Sequence, residues 1–320
     1  LREAMPRFDR MPPSSVCCGR RLLNNVFEKT EGRCRMVLST QFNLARRIGE
    51  HKAIEVIAKA GFDALDYSLF ALDDDADLMN PSKYERCARE LASVAEQCGV
   101  FFNQAHAPFP SYRVGDESYN DKTFAKIVHS IEVAAILGAK NIVVHPIYME
   151  KDKKQFNMEF FGQLAPCCKQ FGIKAAIENM WMRDPRRGCI VPNVCSIPEE
   201  FTDFLDTLGS ECFTGCLDIG HCGLVGVDEA HAIKTLGHGR LKALHVHDND
   251  YRSDMHTLPY IGKLDWDSIT AALKDIRYDG DFTFEADNFV MGIPEELLPQ
   301  AYKYMHDTGR FLIQKCVSEE

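Results

Sequence analysis

The sequence predicts an α/β protein, a single-domain (β/α)8 TIM barrel with an irregular N-terminal extension, on three observations. From Met36 onward, eight short apolar runs alternate with amphipathic helical stretches, the order that builds a parallel sheet. Several runs have an apolar body and a polar tip, as a buried parallel strand has where it opens into an active-site mouth. The tips are acids and histidines: Ala-Ala-Ile-Glu178, Gly-Cys-Leu-Asp218, Leu-His245-Val-His247 and Phe-Thr-Phe-Glu285. Two packed α/β domains are the alternative. The barrel is preferred because polar residues recur at strand C-terminal ends, where barrel active sites sit.

In chain order, residues 36–42 read as the first strand. A helix over 50–60 follows, with Ile54, Ile57 and Ala58 on one face and Gly61 closing it. Residues 62–69 make the second strand, and Ser82 opens a helix that ends at Gly99. The third strand, 100–105, leads to a helix over 121–137 closed by Gly138. The fourth, 141–145, leads to a helix over 156–171 closed by Gly172 and kinked at Pro166. After the fifth strand, 173–178, Ser196-Ile197-Pro198-Glu199 carries the cap-then-proline signature of a helix start. The sixth strand, 213–218, precedes a short helix over 228–236, and the seventh, 241–247, a helix over 266–276 capped by Asp265. The eighth strand, 281–286, precedes a mostly helical stretch over 294–317, bent at Pro299. The expected barrel domain is thus 36–320. Residues 1–35 are basic and aperiodic, and are expected to be a disordered tail or a spurious upstream extension. Glu3, Asp9, Glu28 and Glu31 argue against a transit peptide there.

Composition bounds the function classes. Hydrophobic residues make up 45% and charged residues 26% of the 320, ordinary values for a soluble globular protein with a full core. No run approaches the roughly 18 apolar residues of a membrane span. A formal charge of −10 disfavours a general nucleic-acid binder. The 13 cysteines sit in apolar contexts without CxxC pairs, so reduced core thiols in a cytoplasmic protein are expected.

Chemistry concentrates on one rim. Of 11 histidines, six fall at or just after strand ends: His106, His145, His221, His245, His247 and His256. Glu178, Asp218, His245 and Glu285 come from the ends of the last four strands. Three buried carboxylates converging with an imidazole call for a cation. Hard oxygen donors with one nitrogen suit Mn²⁺ best, with Mg²⁺, Co²⁺ or Zn²⁺ as alternatives. His245 and His247, two residues apart, point to the same strand face.

From Met36 onward the chain resembles the xylose-isomerase-like barrel superfamily in its sugar phosphate isomerase/epimerase branch. The resemblance lies in Ala105-His106-Ala107-Pro108, Val144-His145-Pro146, Ile177-Glu178-Asn179-Met180, Leu217-Asp218-Ile219-Gly220-His221, His245-Val246-His247-Asp248, His256-Thr257-Leu258-Pro259 with Gly262 and Asp265-Trp266, and Phe284-Glu285. It implies that Glu178, Asp218, His245 and Glu285 hold one divalent metal. It also implies that Glu178 and Glu285 transfer protons by way of a cis-enediolate of a sugar, sugar phosphate or related keto-polyol. His245 as ligand and His247 beside the substrate follow from the resemblance and are open to exchange. His106, His145, His221, His256, Trp181 and Arg252 are the further substrate-contact candidates, with Arg252 as readily an exposed loop arginine. A carbohydrate substrate is implied, without nucleic acid or membrane; a homo-oligomer or a small partner subunit is compatible.

Two related activities stay open. One is the barrel subunit of a C-glycoside-cleaving lyase that works with a small partner. The other is an endonuclease-IV-type zinc-dependent abasic-site nuclease, whose extra ligand types are present as His106, His145, His221 and Asp254-x-His256. Asn179-Met180-Trp181-Met182 after Glu178, Leu258-Pro259 after His256 and the net charge of −10 weigh against the nuclease.

Overall fold

A computed structural model describes residues 36–70, 72, 76–149 and 152–317. The expected extension, residues 1–35, lies outside the described residues. Among the described residues the ten strands are β1 Leu38–Gln41, β2 Ala64–Ser68, β3 Phe101–His106, β4 Asn141–Val144, β5 Lys174–Glu178, β6 Trp181–Arg183, β7 Ile190–Pro192, β8 Phe213–Asp218, β9 Leu241–Val246 and β10 Asp281–Phe284. Eight of them close into a barrel in the order β1-β10-β9-β8-β5-β4-β3-β2, and β6 with β7 makes a separate hairpin. Closure is parallel, with Leu38 opposite Phe282 and Thr40 opposite Phe284. The barrel strands are almost wholly buried, because helices cover the outer face and side chains fill the inner one.

The outer helices are α1 Ala45–Ile48, α2 Glu50–Ala60, α3 Tyr84–Gln97, α4 Glu117–Leu137, α5 Lys153–Phe171, α6 Pro198–Leu208, α7 Ile219–Leu224, α8 Glu229–Arg240, α9 Trp266–Asp275, α10 Asp287–Met291 and α11 Leu298–Val317. One continuous apolar cluster, with Ile54, Ile57, Leu91, Ile131, Phe161, Phe201, Leu273 and Tyr302 among its members, joins them to the strands. Val143, Ala176, Cys216 and Ala243 form a second cluster. Alternation along a strand explains it: Ala176, Cys216 and Ala243 each lie two residues before Glu178, Asp218 and His245, so they share a face with them. A layer of small side chains thus floors a layer of ligand-type side chains, the stacked filling expected of such a barrel.

Several helix starts differ from expectation, each for a local reason. α4 begins at Glu117 rather than 121, because the Asp116 carboxylate accepts the Tyr119 N–H. α3 begins at Tyr84 rather than Ser82, whose N–H and hydroxyl are both taken by the Asn80 side chain. Ser196 does not cap α6. Its hydroxyl donates to the carbonyls of Met180 and Asn193 and ties down the β6–β7 hairpin instead. Asp265 caps α9 as expected, accepting from Asp267 and Ser268. The hairpin and the six-residue α7 had no periodicity long enough to read.

Candidate active site at the C-terminal strand ends

Glu178 and Asp218 end β5 and β8, His245 lies one residue before the end of β9, and Glu285 follows β10. Staggered parallel strands deliver these four side chains to one place. One ligand-type atom from each lies within 4.8 Å of the others. His245 Nδ1 is 2.9 Å from Glu285 Oε2, 3.4 Å from Glu178 Oε2 and 3.9 Å from Asp218 Oδ2. Ligands around a tetrahedral zinc are separated by about 3.3 Å, given bonds near 2 Å. His245 Nδ1 and Glu178 Oε2 are buried without an aligned hydrogen-bond partner. Such atoms are costly unless something binds them, and three carboxylates with one imidazole are a fitting donor set for a divalent cation.

Burial alone would push Glu178 and Glu285 toward the neutral acid. For Glu178 the opposing imidazoles of His245 and His145 win, and its carboxyl is held well below the usual range. His145 Nε2 is 3.0 Å from Glu178 Oε2. Glu285 is likewise held low against burial by His245 and His256, and accepts a hydrogen bond from Gln41 Nε2. Both groups therefore stand as carboxylates, the form a base needs.

Beside this cluster lies a second one: His221, His247, Asp254 and His256, again with ligand-type atoms within 4.8 Å. His256 Nε2 is 3.1 Å and His221 Nε2 3.7 Å from Asp254 Oδ2; His247 Nε2 is 3.9 Å from Asp254 Oδ1. His247 Nε2 also reaches Asp218 Oδ1 at 3.0 Å, joining the two clusters. Burial opposes charge on His221, yet Asp218, Asp254 and Glu178 lift it to about 10. His256 rises to about 10 against burial through Asp254 and Glu285. The ring of His247 stacks on His256 at 4.3 Å and lies so close to α7 that a Cβ at Gly220 would sit 2.0 Å from His247 Cε1.

Asp254 and His256 come from the loop between β9 and α9, which Asp248 organises. Buried Asp248 accepts from the N–H groups of Asn249, Tyr260 and Leu264 and from Trp266 Nε1. Its backbone pairs with Thr257 in both directions. A Cβ at Gly262 would lie 2.2 Å from Asp248 Oδ1, so only glycine lets the loop close on this carboxylate. Tyr251, His256 and Tyr260 all have positive φ (64°, 41° and 74°), a cost of order 1–3 kcal/mol each that the Asp248 contacts must offset.

The structure brings most of the sequence candidates together. His106 stacks on His245 at 4.7 Å, and Phe70 and Phe109 pack against His145 at 5.5 and 4.6 Å. Trp181, on the hairpin, donates its Nε1–H to Asp254 Oδ2 at 3.1 Å. Arg252 is exposed and enters none of the described hydrogen bonds or ion pairs with its side chain. Sequence reasoning missed the residues that hold the candidates. Asp66 and Gln104 support His106 and His245. Asn179 accepts the Asp218 N–H and donates to the Asp218 carbonyl, and its own carbonyl is 2.8 Å from His221 Nδ1. Gln41 and Asn43 link Glu285 toward Asp287. Polar residues inside strands, such as Asp66 and Gln104, are the signal that could have found them.

A barrel whose last four strands deliver such a set belongs to a recognisable class. Residues 54–308 match the family of xylose isomerase-like TIM barrels, and the chain is a member of it. Among relatives, uncharacterized protein y4fM of Sinorhizobium fredii is 28% identical over 172 residues, 50% of this chain and 52% of that one. Protein MJ1311 of Methanocaldococcus jannaschii is 25% identical over 198 residues, 57% of this chain and 64% of that one. Each match thus spans less than two thirds of the relative. Among solved structures, the IolI protein with a bound zinc atom superimposes with a TM-score of 0.69 at 17% identity, covering 89% of this chain and 100% of that one. D-psicose 3-epimerase with D-tagatose, from Clostridium cellulolyticum H10, gives 0.65 at 18% identity, covering 87% and 99%. At such identities the likeness is one of fold. Among the described residues, no helix is long and apolar enough to cross a membrane.

Proposed function

We propose that the chain is a divalent-metal-dependent isomerase or epimerase of a sugar, sugar phosphate or related keto-polyol. The observation that carries this reading is the meeting of Glu178, Asp218, His245 and Glu285, with two of their buried atoms lacking an aligned hydrogen bond. These four would hold the metal, Mn²⁺ before Mg²⁺, Co²⁺ or Zn²⁺ because oxygen donors predominate. A bound divalent ion would supply Lewis acidity to the substrate carbonyl and make the neighbouring C–H acidic. Glu178 and Glu285, both ionised, flank the same space. One takes the C–H proton and the other returns a proton, with a cis-enediolate of the sugar between. Return to the same carbon from the opposite face inverts it, and return to the neighbouring carbon isomerises aldose and ketose. His106, His145, His221, His247 and His256 would bind substrate hydroxyls, with Trp181 as a wall of the pocket. The described cysteines are all unpaired, which supports a cytoplasmic setting.

Incubating metal-loaded protein with a panel of ketoses in D₂O tests this. Deuterium at the carbon next to the carbonyl is the expected result, and its position separates epimerase from isomerase. No exchange across the panel, with metal bound, would overturn the reading.

A second reading has its own observation. His221, His247, Asp254 and His256 form a further ligand-type group, and a site with two or more metals would suit hydrolysis of a phosphodiester. Counting metals per chain and assaying an abasic-site duplex decides it: one metal and no strand cleavage supports the isomerase, several zinc ions with cleavage the nuclease.

A further inference from the structure

Glu229 opens α8 and belongs to neither of the ligand-type clusters at the mouth. It is 7% exposed, and its Oε1 is buried without a hydrogen-bond partner. Three side chains converge on Gly223 of α7. A Cβ there would lie 2.8 Å from Glu229 Oε1, 2.8 Å from Leu264 Cδ2 and 3.1 Å from Tyr251 Cδ1. The carboxyl group is thus set between α7 and the loop that joins β9 to α9, beside an aliphatic chain and an aromatic ring.

The titratable groups around it are acids, a thiol and a phenol. Asp228 precedes it, Cys222 lies on α7, and Asp248, Tyr251 and Asp265 lie on the loop and at the cap of α9. Lys263, on the same loop, acts on the exposed Asp250. The ion pairs of α8 with α6 and α9 lie further along the helix, at His231 with Glu199 and Lys234 with Asp275. Burial lifts the Glu229 carboxyl to about 7 against a pull from its own N–H, and Asp228, Asp265 and Asp248 add to the lift. A neutral acid is tolerable in such a place, whereas a buried carboxylate without a partner is costly.

The loop offers the carboxylate a way to water. Tyr251 is 43% exposed and is held at φ 64°, so moving it uncovers Glu229 and relieves backbone strain. Asp254 and His256 follow three and five residues later on the same loop. We infer that Glu229 is a positioning residue that ties closure of this loop to pH. Protonated, it lets Tyr251 and Leu264 pack on α7. Ionised, it drives Tyr251 off and draws Asp254 and His256 away from the mouth. The effect on catalysis presupposes the substrate contact proposed above for His256.

A carboxyl raised on folding keeps its proton in the folded chain at a pH where the unfolded chain has lost it. Its contribution to stability is therefore full below the ordinary value of 4.5 and is lost as pH rises through about 7. Three measurements on the full chain and on Glu229→Gln and Glu229→Met test this. In denaturant unfolding, the unfolding constant of the unsubstituted protein relative to either variant should rise on the order of 100-fold between about pH 5 and about pH 8. In hydrogen exchange corrected for intrinsic rates, protection of peptides from residues 249–264 should fall about tenfold from about pH 6 to about pH 8.5, with β5 and β8 unchanged. Both variants should hold that protection level across the range. With a ketose that is turned over, KM should rise about tenfold over the same span, against less than about twofold in the variants. The pH profile of kcat should be shared by all three. A merely structural Glu229 would lower stability on substitution without removing these slopes. Equal slopes in folded variants, or a loss of protection spread over the whole barrel, would overturn the inference. Absence of turnover on every ketose would instead sink the proposed function, while unfolding and exchange still decide the role of Glu229.

Discussion

The carboxylate half of the mouth and its imidazole half are built by different means. Glu178, Asp218, His245 and Glu285 are all carried at or beside the ends of barrel strands and are 6% exposed at most. In the other half, His221 and His247 belong to buried backbone, but Asp254 and His256 hang on the loop after β9, with side chains 19% and 26% exposed. Sheet register fixes the first group, whereas the second depends on a strained loop tied to one buried carboxylate. The first half is thus suited to chemistry that needs fixed geometry, and the second to recognition of what the loop encloses.

The largest expected effect falls on the strand-borne half. Glu178→Gln and Glu285→Gln keep the shape and remove the base, so each should lower kcat by about 10²–10⁴-fold with little change in melting temperature. Turnover within a factor of two of the unsubstituted protein in either variant would end their proton-transfer roles. Next comes the division of labour on β9. His245→Ala should weaken metal binding by more than the roughly 10–100-fold that outer-shell changes cost. His247→Ala should mainly raise KM. A metal titration with the two effects exchanged swaps the labels and leaves the site in place.

The contrast is sharpened by a change aimed at the loop alone. Asp248→Ala strands four buried donors, those of Asn249, Tyr260, Leu264 and Trp266. A loss near 3 kcal/mol is expected, since hydrogen bonds to a charged group contribute about 1.5–3 kcal/mol and stranded donors add their desolvation cost. Denaturant unfolding measures the loss. Metal affinity at the carboxylate half should survive better than substrate affinity, because β5, β8, β9 and β10 do not depend on the loop. Equal loss of both would show that the halves are not separable.

The same contrast governs what the sequence disclosed. Glu178, Asp218, His245 and Glu285 were legible because each lies at or beside the end of an apolar run, and a run with a polar tip has few meanings in an alternating α/β pattern. The order of eight strands was legible for the same reason. Asp66 and Gln104 were not, because a polar residue inside a strand carries no label saying which neighbour it will meet across the barrel. Asp248 was quoted only as part of a motif. Its work is done by four donors spread over residues 249–266, and contacts of that kind leave no period in the sequence. Trp181 was named as a substrate-contact candidate, but its bond to Asp254 depends on a hairpin too short to read.

Arg252 offers the smallest effect and tests the boundary of the site. It sits between Tyr251 and Ser253 on the same loop, exposed, with its backbone N–H donated to the Asp250 carboxylate. Sequence reading admitted it either as a contact for a substrate hydroxyl or phosphate or as a solvated arginine. A side chain free in water loses conformational freedom when it binds, and a single exposed charge repays little of that. Arg252→Ala should therefore shift stability by no more than about 0.5 kcal/mol and leave kcat/KM within about twofold for an unphosphorylated ketose. A large rise in KM confined to phosphorylated sugars would instead place a phosphate over this loop. It would extend the recognition half of the mouth outward to residue 252 while leaving the carboxylate half unchanged.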